Sequence, residues 1–165
     1  MDTITIRPFA ADEWRTWRAL RLAALADTPD AFAVTLAQAQ ARSDDTWASL
    51  LAQACSAPAD LPLVALVDGE PCGLTWANHE SGTVWLYQVW VAPERRGRGV
   101  AQALLRYAIG WARERGAAEV RLDVTASLAP AYGLYKGMGF EEDGAPVPME
   151  NRSGLREQPM RLPLG

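Results

Sequence analysis

The chain has 165 residues, 49% apolar and 22% charged, which fits one globular domain able to bury a core without disulfide or metal support. Its 16 basic and 20 acidic side chains leave a net charge of −4, which argues against general nucleic-acid binding. A single histidine excludes a multi-histidine metal site, no apolar run approaches the length of a membrane span, and Asp2 and Arg7 interrupt any signal-like segment.

Alternation over Thr3–Arg7 predicts a half-buried strand ended by Pro8. A helix is expected from Asp12 or Glu13 to about Ala26, with Trp14, Trp17, Leu20 and Ala24 on one face, and Asp27-Thr28-Pro29-Asp30 stops it. Ala31–Leu36 carries no assignable pattern. Ser43 suits the N-cap of a helix reaching about Ala54, with Asp44 and Asp45 in its first turn. Ser56–Pro62 reads as a loop. Cys55 and Cys72 lack Cys-x-x-Cys spacing and read as reduced thiols of a cytoplasmic protein.

Leu63–Val67 is a predicted strand, Asp68-Gly69 a hairpin turn, and Cys72–Asn78 the returning partner. Ser81-Gly82 turns the chain into Val84–Val91, rich in β-branched and aromatic residues, which completes an antiparallel meander. Ala92-Pro93-Glu94 ends that strand. Beyond Arg95-Arg96-Gly97-Arg98, a helix is expected over Gly99–Arg115, with Val100, Leu104, Ala108 and Trp111 on one face. Ala118–Thr125 alternates as a strand, so the unit strand–helix–strand is predicted parallel with a right-handed crossover. Ser127 is the expected cap of a short helix with Pro130 in its first turn, running to about Met138, with Gly139 as its C′ residue. Phe140–Asp143 is strand-like, Gly144–Gly154 a loop, and Arg156–Leu162 a strand that closes the sheet.

The turn between Val91 and Val100 has a chemical consequence. The first turn of a helix carries backbone N–H groups with no intrahelical partner and the positive end of the macrodipole. Glycines allow close approach of an anion, and Arg95, Arg96 and Arg98 add charge, which makes a site for a phosphate or pyrophosphate. No Gly-Lys-Ser/Thr follows, so this is not a Walker A loop, and the third glycine of a dinucleotide fingerprint is missing.

Arg96-Gly97-Arg98-Gly99-Val100-Ala101 resembles the acyl-CoA motif Arg/Gln-x-x-Gly-x-Gly/Ala of the GNAT superfamily of N-acetyltransferases. A second stretch resembles the family's Asn-x-x-Ala-x-x-Leu-Tyr-x-x-x-Gly-Phe, with Ala131, Leu134, Tyr135, Gly139 and Phe140 matching and Leu128 in place of the asparagine. The two motifs stand in the family's order and at its usual separation. The resemblance spans nearly the whole chain, 1–165, and implies an α/β (α+β) fold. Its sheet would be mixed and mostly antiparallel, of six to seven strands with a splayed parallel central pair, flanked by about four helices.

The resemblance also implies a chemistry: transfer of the acetyl group of acetyl-CoA, as cosubstrate and without a metal, to an amine by direct attack. The pantetheine arm would pair with backbone near Val89, Trp90 and Val91, and the pyrophosphate would sit on Arg96, Gly97, Arg98, Gly99, Val100 and Ala101. Ser127, beside Leu128, is the polar side chain nearest the missing asparagine. Tyr135 would touch the cofactor and act as general acid for the departing thiolate. A phenol of pKa ~10 protonating a thiolate of pKa ~8.5 is uphill, so hydrogen bonding counts for more than full transfer.

Tyr87 and Gln88 stand where many relatives place a glutamate, so water-mediated proton removal is the default and His79 the other candidate base. Asp123 is expected on the face opposite Leu122 and Val124. The expected partner is a small-molecule or peptide amine, with no nucleic acid and no membrane, and the protein is a monomer or homodimer. The competing readings are a non-catalytic acyl-CoA-binding module on the same fold and an arginine-patch interaction protein.

Overall fold

The two tight turns of the meander form as their residues demand. Asp68 and Gly69 have φ of 52° and 85°, Ser81 and Gly82 of 52° and 81°, the left-handed pairs that match hairpin twist. The computed structural model describes residues 2–125, 128–150 and 152–165. Its elements are β1 (Ile4–Pro8), α1 (Trp14–Asp27), α2 (Leu36–Gln40), α3 (Asp44–Ser56), β2 (Asp60–Val67), β3 (Glu70–Glu80) and β4 (Thr83–Val91). They continue with α4 (Val100–Glu114), β5 (Glu119–Thr125), α5 (Ala129–Gly137), β6 (Glu141–Glu142), β7 (Val147–Pro148) and β8 (Arg156–Pro163).

The strands run β1-β2-β3-β4-β5-β8-β6 across one mixed sheet, with the short β7 pairing β8. Every pair is antiparallel except β4–β5. The last strand does not lie at the edge: it inserts between β5 and β6 and pairs with all seven residues of β5. Leu61–Val67 of β2 is buried residue after residue, so helices cover both faces of the sheet there. Helix α1 lies on the face of Trp76, whose ring meets Trp17 at 5.5 Å, and α3 adds Trp47 against the other side of Trp17 at 5.1 Å. Helix α4 packs across β1 to β5 through Leu104, Leu105, Ala108 and Ala112, all fully or almost fully buried.

Some boundaries differ from the sequence reading. Strand β2 starts at Asp60 and takes in Pro62, which lies past the last residue paired with β1, so its missing N–H removes no bond of that ladder, while its carbonyl accepts from the Phe9 N–H (2.9 Å). Thr35 caps the short α2, accepting from the Gln38 N–H (3.1 Å) while Gln38 Oε1 accepts from the Thr35 N–H (2.9 Å). That capping box lay in a stretch with no legible period. Ser43 caps α3 as expected, accepting from the Thr46 N–H (3.1 Å).

Two features shape the centre of the sheet. Parallel pairing of β4 with β5 covers only Thr83–Trp85 against Glu119–Arg121, and beyond it the strands part. From Leu86 to Val91 the edge of β4 that faces β5 carries no ladder. Strand β4 also holds a β-bulge: Leu74 pairs with Trp90 and Trp76 with Tyr87, so Gln88 and Val89 together oppose Thr75. Gln88 adopts φ of 63°, and the buried Thr75 hydroxyl donates to the Tyr87 carbonyl (2.9 Å). Gly73 sits opposite Val91 because a Cβ there would stand 2.8 Å from the Trp90 carbonyl oxygen.

Candidate active site

The turn Arg96–Ala101 connects β4 to α4 as expected. Gly97 and Gly99 have φ of 76° and 84°, a region other residues enter only with strain. Gly99 is the N-cap of α4, and the first backbone bond of the helix runs from the Ala103 N–H to the Gly99 carbonyl (3.0 Å). Every N–H from Gly97 to Gln102 is therefore without a backbone acceptor among the described residues. This is the row of donors an anion requires.

The arginines of the turn are less available than their number suggests. Arg96 Nε donates to the Val91 carbonyl (3.0 Å), and its guanidinium pairs with Asp27 at the end of α1. Trp90 Nε1 donates to the same Asp27 oxygen (3.0 Å). The Trp90 bond, then Arg96, holds the Asp27 carboxyl below its usual range against the opposing effect of burial. Arg98 pairs with Asp2 (2.6 Å). The backbone thus carries more of the anion site, and the side chains fix its shape.

The strands β4 and β5 are parallel, so their carboxyl ends face the same way. The glycine turn follows one, and α5 follows the other. Tyr135 on α5 is 6% exposed, with its ring edge-on to Phe140 at 5.9 Å. Burial pushes its phenol above the ordinary tyrosine value, so it stays protonated well past neutral pH. Gly139, with φ of 101°, ends α5 and lets the Phe140 N–H reach the Tyr135 carbonyl (3.0 Å). Val89 is half-buried in the bulge, while Trp90 and Val91 are buried beside the unpaired edge. Ser127 lies outside the described residues, and Leu128 holds the N-cap position of α5. A groove of about 390 Å³ runs along α4 from Gln102 past Arg106 to Arg113, bounded opposite by Gly137, Met138 and Leu162.

Across the sheet, on the α1 face, Trp17, Arg42, Leu50, Trp76, Tyr87 and Gln88 line a pocket of about 240 Å³. Trp85 and Arg121 are paired, so Tyr87 and Asp123, two residues on, share this face at the point where the strands part. Asp123 is exposed and opposite in direction to buried Leu122 and Val124, as expected. Crowding by the protein raises its carboxyl despite Arg121, and raises that of Glu157, with Asp123 adding to the latter. The segment 29–32 closes this end: Thr125 donates to the Asp30 carbonyl (2.7 Å), and Arg152 from the 144–154 loop donates to the Pro29 and Phe32 carbonyls (both 2.7 Å).

His79 is not part of this arrangement. It pairs with Val84, five residues before Val89 and so about 16 Å away along the strand. Its Nδ1 accepts from Arg115 Nε (3.0 Å), and its ring lies edge-on to Trp111. Tyr132 donates to Glu142 (3.2 Å), and Lys136 is exposed. Arg42 was not singled out from the sequence, and Gln88 only as standing where many relatives place a glutamate. Arg21 and Asp27 were legible only within the Arg21–Phe32 run, which resembles many members' acceptor-side segment, and its Asp27-Thr28-Pro29 breaker read as a helix stop. Among the described residues no cluster of three or more His, Cys, Asp or Glu stands ready for a metal, and no helix is long and apolar enough to cross a membrane.

Comparison with known proteins agrees with this geometry. Residues 17–140 match the model of the acetyltransferase (GNAT) family. Mycothiol acetyltransferase of Clavibacter sepedonicus is 31% identical over 144 residues, covering 87% of this chain and 45% of that protein. The chain therefore spans under half the length of this relative. The fold is shared with an acetyltransferase of the GNAT family from Streptococcus pneumoniae, with TM-score 0.84, 18% identity, and 99% and 100% of the two chains covered. It is shared too with yncA from Salmonella typhimurium, solved with its cofactor acetyl-CoA, with TM-score 0.80, 20% identity, and 99% and 95% covered.

Proposed function

The chain belongs to the acetyltransferase (GNAT) family, and from that premise we propose that it transfers the acetyl group of acetyl-CoA to a primary amine by direct attack. The observation that carries this reading is the continuity of two features on one strand. The unpaired edge of β4 from Leu86 to Val91 leads within six residues to the free N–H groups of Gly97–Gln102.

The residues present fit acetyl-CoA. The N–H row takes the pyrophosphate, and the open edge of β4 offers main-chain partners to an extended pantetheine arm, as an added strand would use them. Acetyl-CoA supplies the activated thioester. The bulge at Gln88–Val89 re-aims the local N–H groups out of the ladder, which suits one of them to the thioester oxygen as charge builds there. Such a donor is worth ~2.7–4 kcal/mol. Tyr135 holds its proton at neutral pH and donates a hydrogen bond to the departing sulfur. With His79 remote, the proton of the attacking amine leaves through water, aided by the acidic rim of Asp123 and Glu157.

The acceptor is a small-molecule or peptide amine less basic than a lysine side chain, since no strong base is at hand to generate its neutral form. The replacement of asparagine by Leu128 favours a second reading, a non-catalytic acyl-CoA-binding module. Thiol release from acetyl-CoA with a panel of amines, together with calorimetric titration of acetyl-CoA, tests both. Turnover with an acetylated product supports the transferase. Binding without turnover on any amine leaves the module, and absence of binding removes both.

A further inference from the structure

Arg21 is the only charged side chain buried among the described residues, at 4% exposure. It sits on the sheet-facing side of α1, one helical turn after Trp17. Its guanidinium lies over the Phe32 ring at 4.9 Å, and its Nη1 has no hydrogen-bond partner. It forms no ion pair with any described carboxylate. Burial, and after it the charge of a second guanidinium, Arg42, pull it down to about 10. Arg42 has no acidic partner among the described residues either, and its guanidinium lies over the face of Trp47 at 5.0 Å.

Two guanidinium groups, one on α1 and buried and one just past α2, neither with a carboxylate partner among the described residues, form a site that lacks an anion. Arg42 lines the pocket of Trp17, Leu50, Trp76, Tyr87 and Gln88, and Arg21 stands behind Trp17's turn of the helix. The same pocket holds the Oε1 of Gln88, buried without a donor, on a residue strained at φ of 63°. Beyond Tyr87, Asp123 and Glu157 form an acidic rim. The pocket is thus cationic on its helix side and acceptor-rich and acidic on its strand side, with indole and leucine walls between.

We infer that the acetyl acceptor is an α-amino acid with an apolar or aromatic side chain. Its carboxylate is held by Arg42 in the field of Arg21, its amine is directed by Gln88 Oε1 towards the parting of β4 and β5, and its side chain lies against Trp17, Trp76 and Leu50. This rests on the acetyl-transfer reading. The step balances: the neutral amine nitrogen forms the bond to the acetyl carbon, the carbon–sulfur bond breaks with its electron pair going to sulfur, and the one proton the amine loses passes through water to that sulfur, which leaves as the thiol of CoA.

The test compares L-phenylalanine, L-leucine and L-methionine with their carboxamides, in the wild-type chain and in Arg42→Met and Arg21→Met, each checked for folding by circular dichroism. The amide has the less basic amine and is the better nucleophile when nothing recognises a carboxylate. A wild-type kcat/KM at least about tenfold higher for one acid than for its amide is expected, with that ratio falling to about one in Arg42→Met. Amides used as well as acids, or a ratio unchanged in Arg42→Met, overturns the inference and leaves acetyl transfer standing. Calorimetry with the N-acetyl amino acids and N-acetyl amino amides reads the carboxylate site without turnover. If no amine is acetylated, selective binding of the acids, lost in Arg42→Met, supports the anion site while the transfer reading fails. Equal or absent binding of acid and amide overturns the inference. Arg21→Met serves as the second variant, expected to weaken acid binding without changing amide binding.

Discussion

Arg96 and Asp27, 69 residues apart, are joined by an ion pair that ties the glycine turn to the carboxyl end of α1. Trp90 donates to the same carboxylate, and Arg96 also donates to Val91, so one aspartate organises both the last residues of β4 and the start of the turn. The motif arginine is therefore committed to holding the backbone of the turn in place.

Asp27→Ala is expected to weaken acetyl-CoA binding several-fold in a chain that still folds, and to lower stability by about 1–2 kcal/mol, as loss of charge-assisted hydrogen bonds does. The folded carboxyl of Asp27 lies below its unfolded value of ~3.9. Its contribution is therefore present above that value and lost as pH falls through the lower folded one. Denaturant melts should show the gap between wild type and variant closing below about pH 4. A gap constant down to pH 2.5 would remove the ion pair as its cause.

Gly99→Val should separate binding from folding. The nearest atom a Cβ would meet is Gln102 Oε1 at 3.9 Å, so the protein has room for it. The cost to the fold is the positive φ, about 1–2 kcal/mol. The added methyl groups crowd the anion side of the turn, so acetyl-CoA affinity should fall more than about tenfold, or 1.4 kcal/mol. Unchanged calorimetric affinity in the folded variant would move the pyrophosphate elsewhere.

Much of this site was legible because backbone needs and residue types coincide there. Asp68-Gly69, Ser81-Gly82, Gly97 and Gly99 all adopt the left-handed conformation that made them readable as turns. The alternations of β1, β5 and β8 and the apolar face of α4 report burial directly. The bulge did not show, because Gln88 is an ordinary strand residue in the sequence and its φ comes from pairing two residues against Thr75. Nor did the place of β8 between β5 and β6, since alternation fixes a face and says nothing of the neighbour. Arg21 was not among the residues placed on the apolar face of the first helix, and only the packing of Phe32 and α1 on the sheet buries it. His79 was readable as a titratable group but not as remote, because its distance from Val89 depends on register.

Tyr135→Phe should lower kcat by about 10–100-fold, or ~1.4–2.7 kcal/mol, while leaving acetyl-CoA affinity nearly intact. The hydroxyl has no hydrogen-bond partner among the described residues, so stability should hardly change. Because burial raises the phenol, its proton stays in place as pH rises, and the wild-type rate should show no falling limb near pH 9 to 10 from this group. Wild-type kcat in the variant, with chemistry rate-limiting, would exclude Tyr135 as the acid.

Asp123→Asn should separate rate from stability by pH. Crowding raises the folded carboxyl above its unfolded value. A raised carboxyl contributes stability that is complete below the unfolded pKa and lost as pH rises through the folded one. The variant should therefore match wild type near pH 3 and melt at an equal or higher temperature at pH 7. Its kcat/KM for an amine acceptor should fall, since the rim loses a charge beside the parting strands. A lower melting temperature at pH 7 would show Asp123 to be a structural anion instead.

The distance of His79 from Val89 sets the last expectation. A lysine-like amine of pKa ~10.4 is neutral in only ~1 part in 2,500 at pH 7, whereas the α-amino group of a peptide, of pKa ~7.7–8.0, is neutral in roughly one part in ten, and a free α-amino acid falls between them. With the chain's one histidine paired with Val84 and accepting from Arg115, the site gains most from an amine that supplies its own free form. Matched acceptors differing chiefly in amine pKa, assayed from pH 6 to 9, should show the low-pKa amine ahead at neutral pH. For the high-pKa amine, kcat/KM should rise about tenfold per pH unit throughout, following its neutral fraction. His79→Ala should leave both profiles in place. A preference for the high-pKa amine at pH 7, with a rate limb near pH 6 to 7 that His79→Ala abolishes, would put the base where the strand register says it is not.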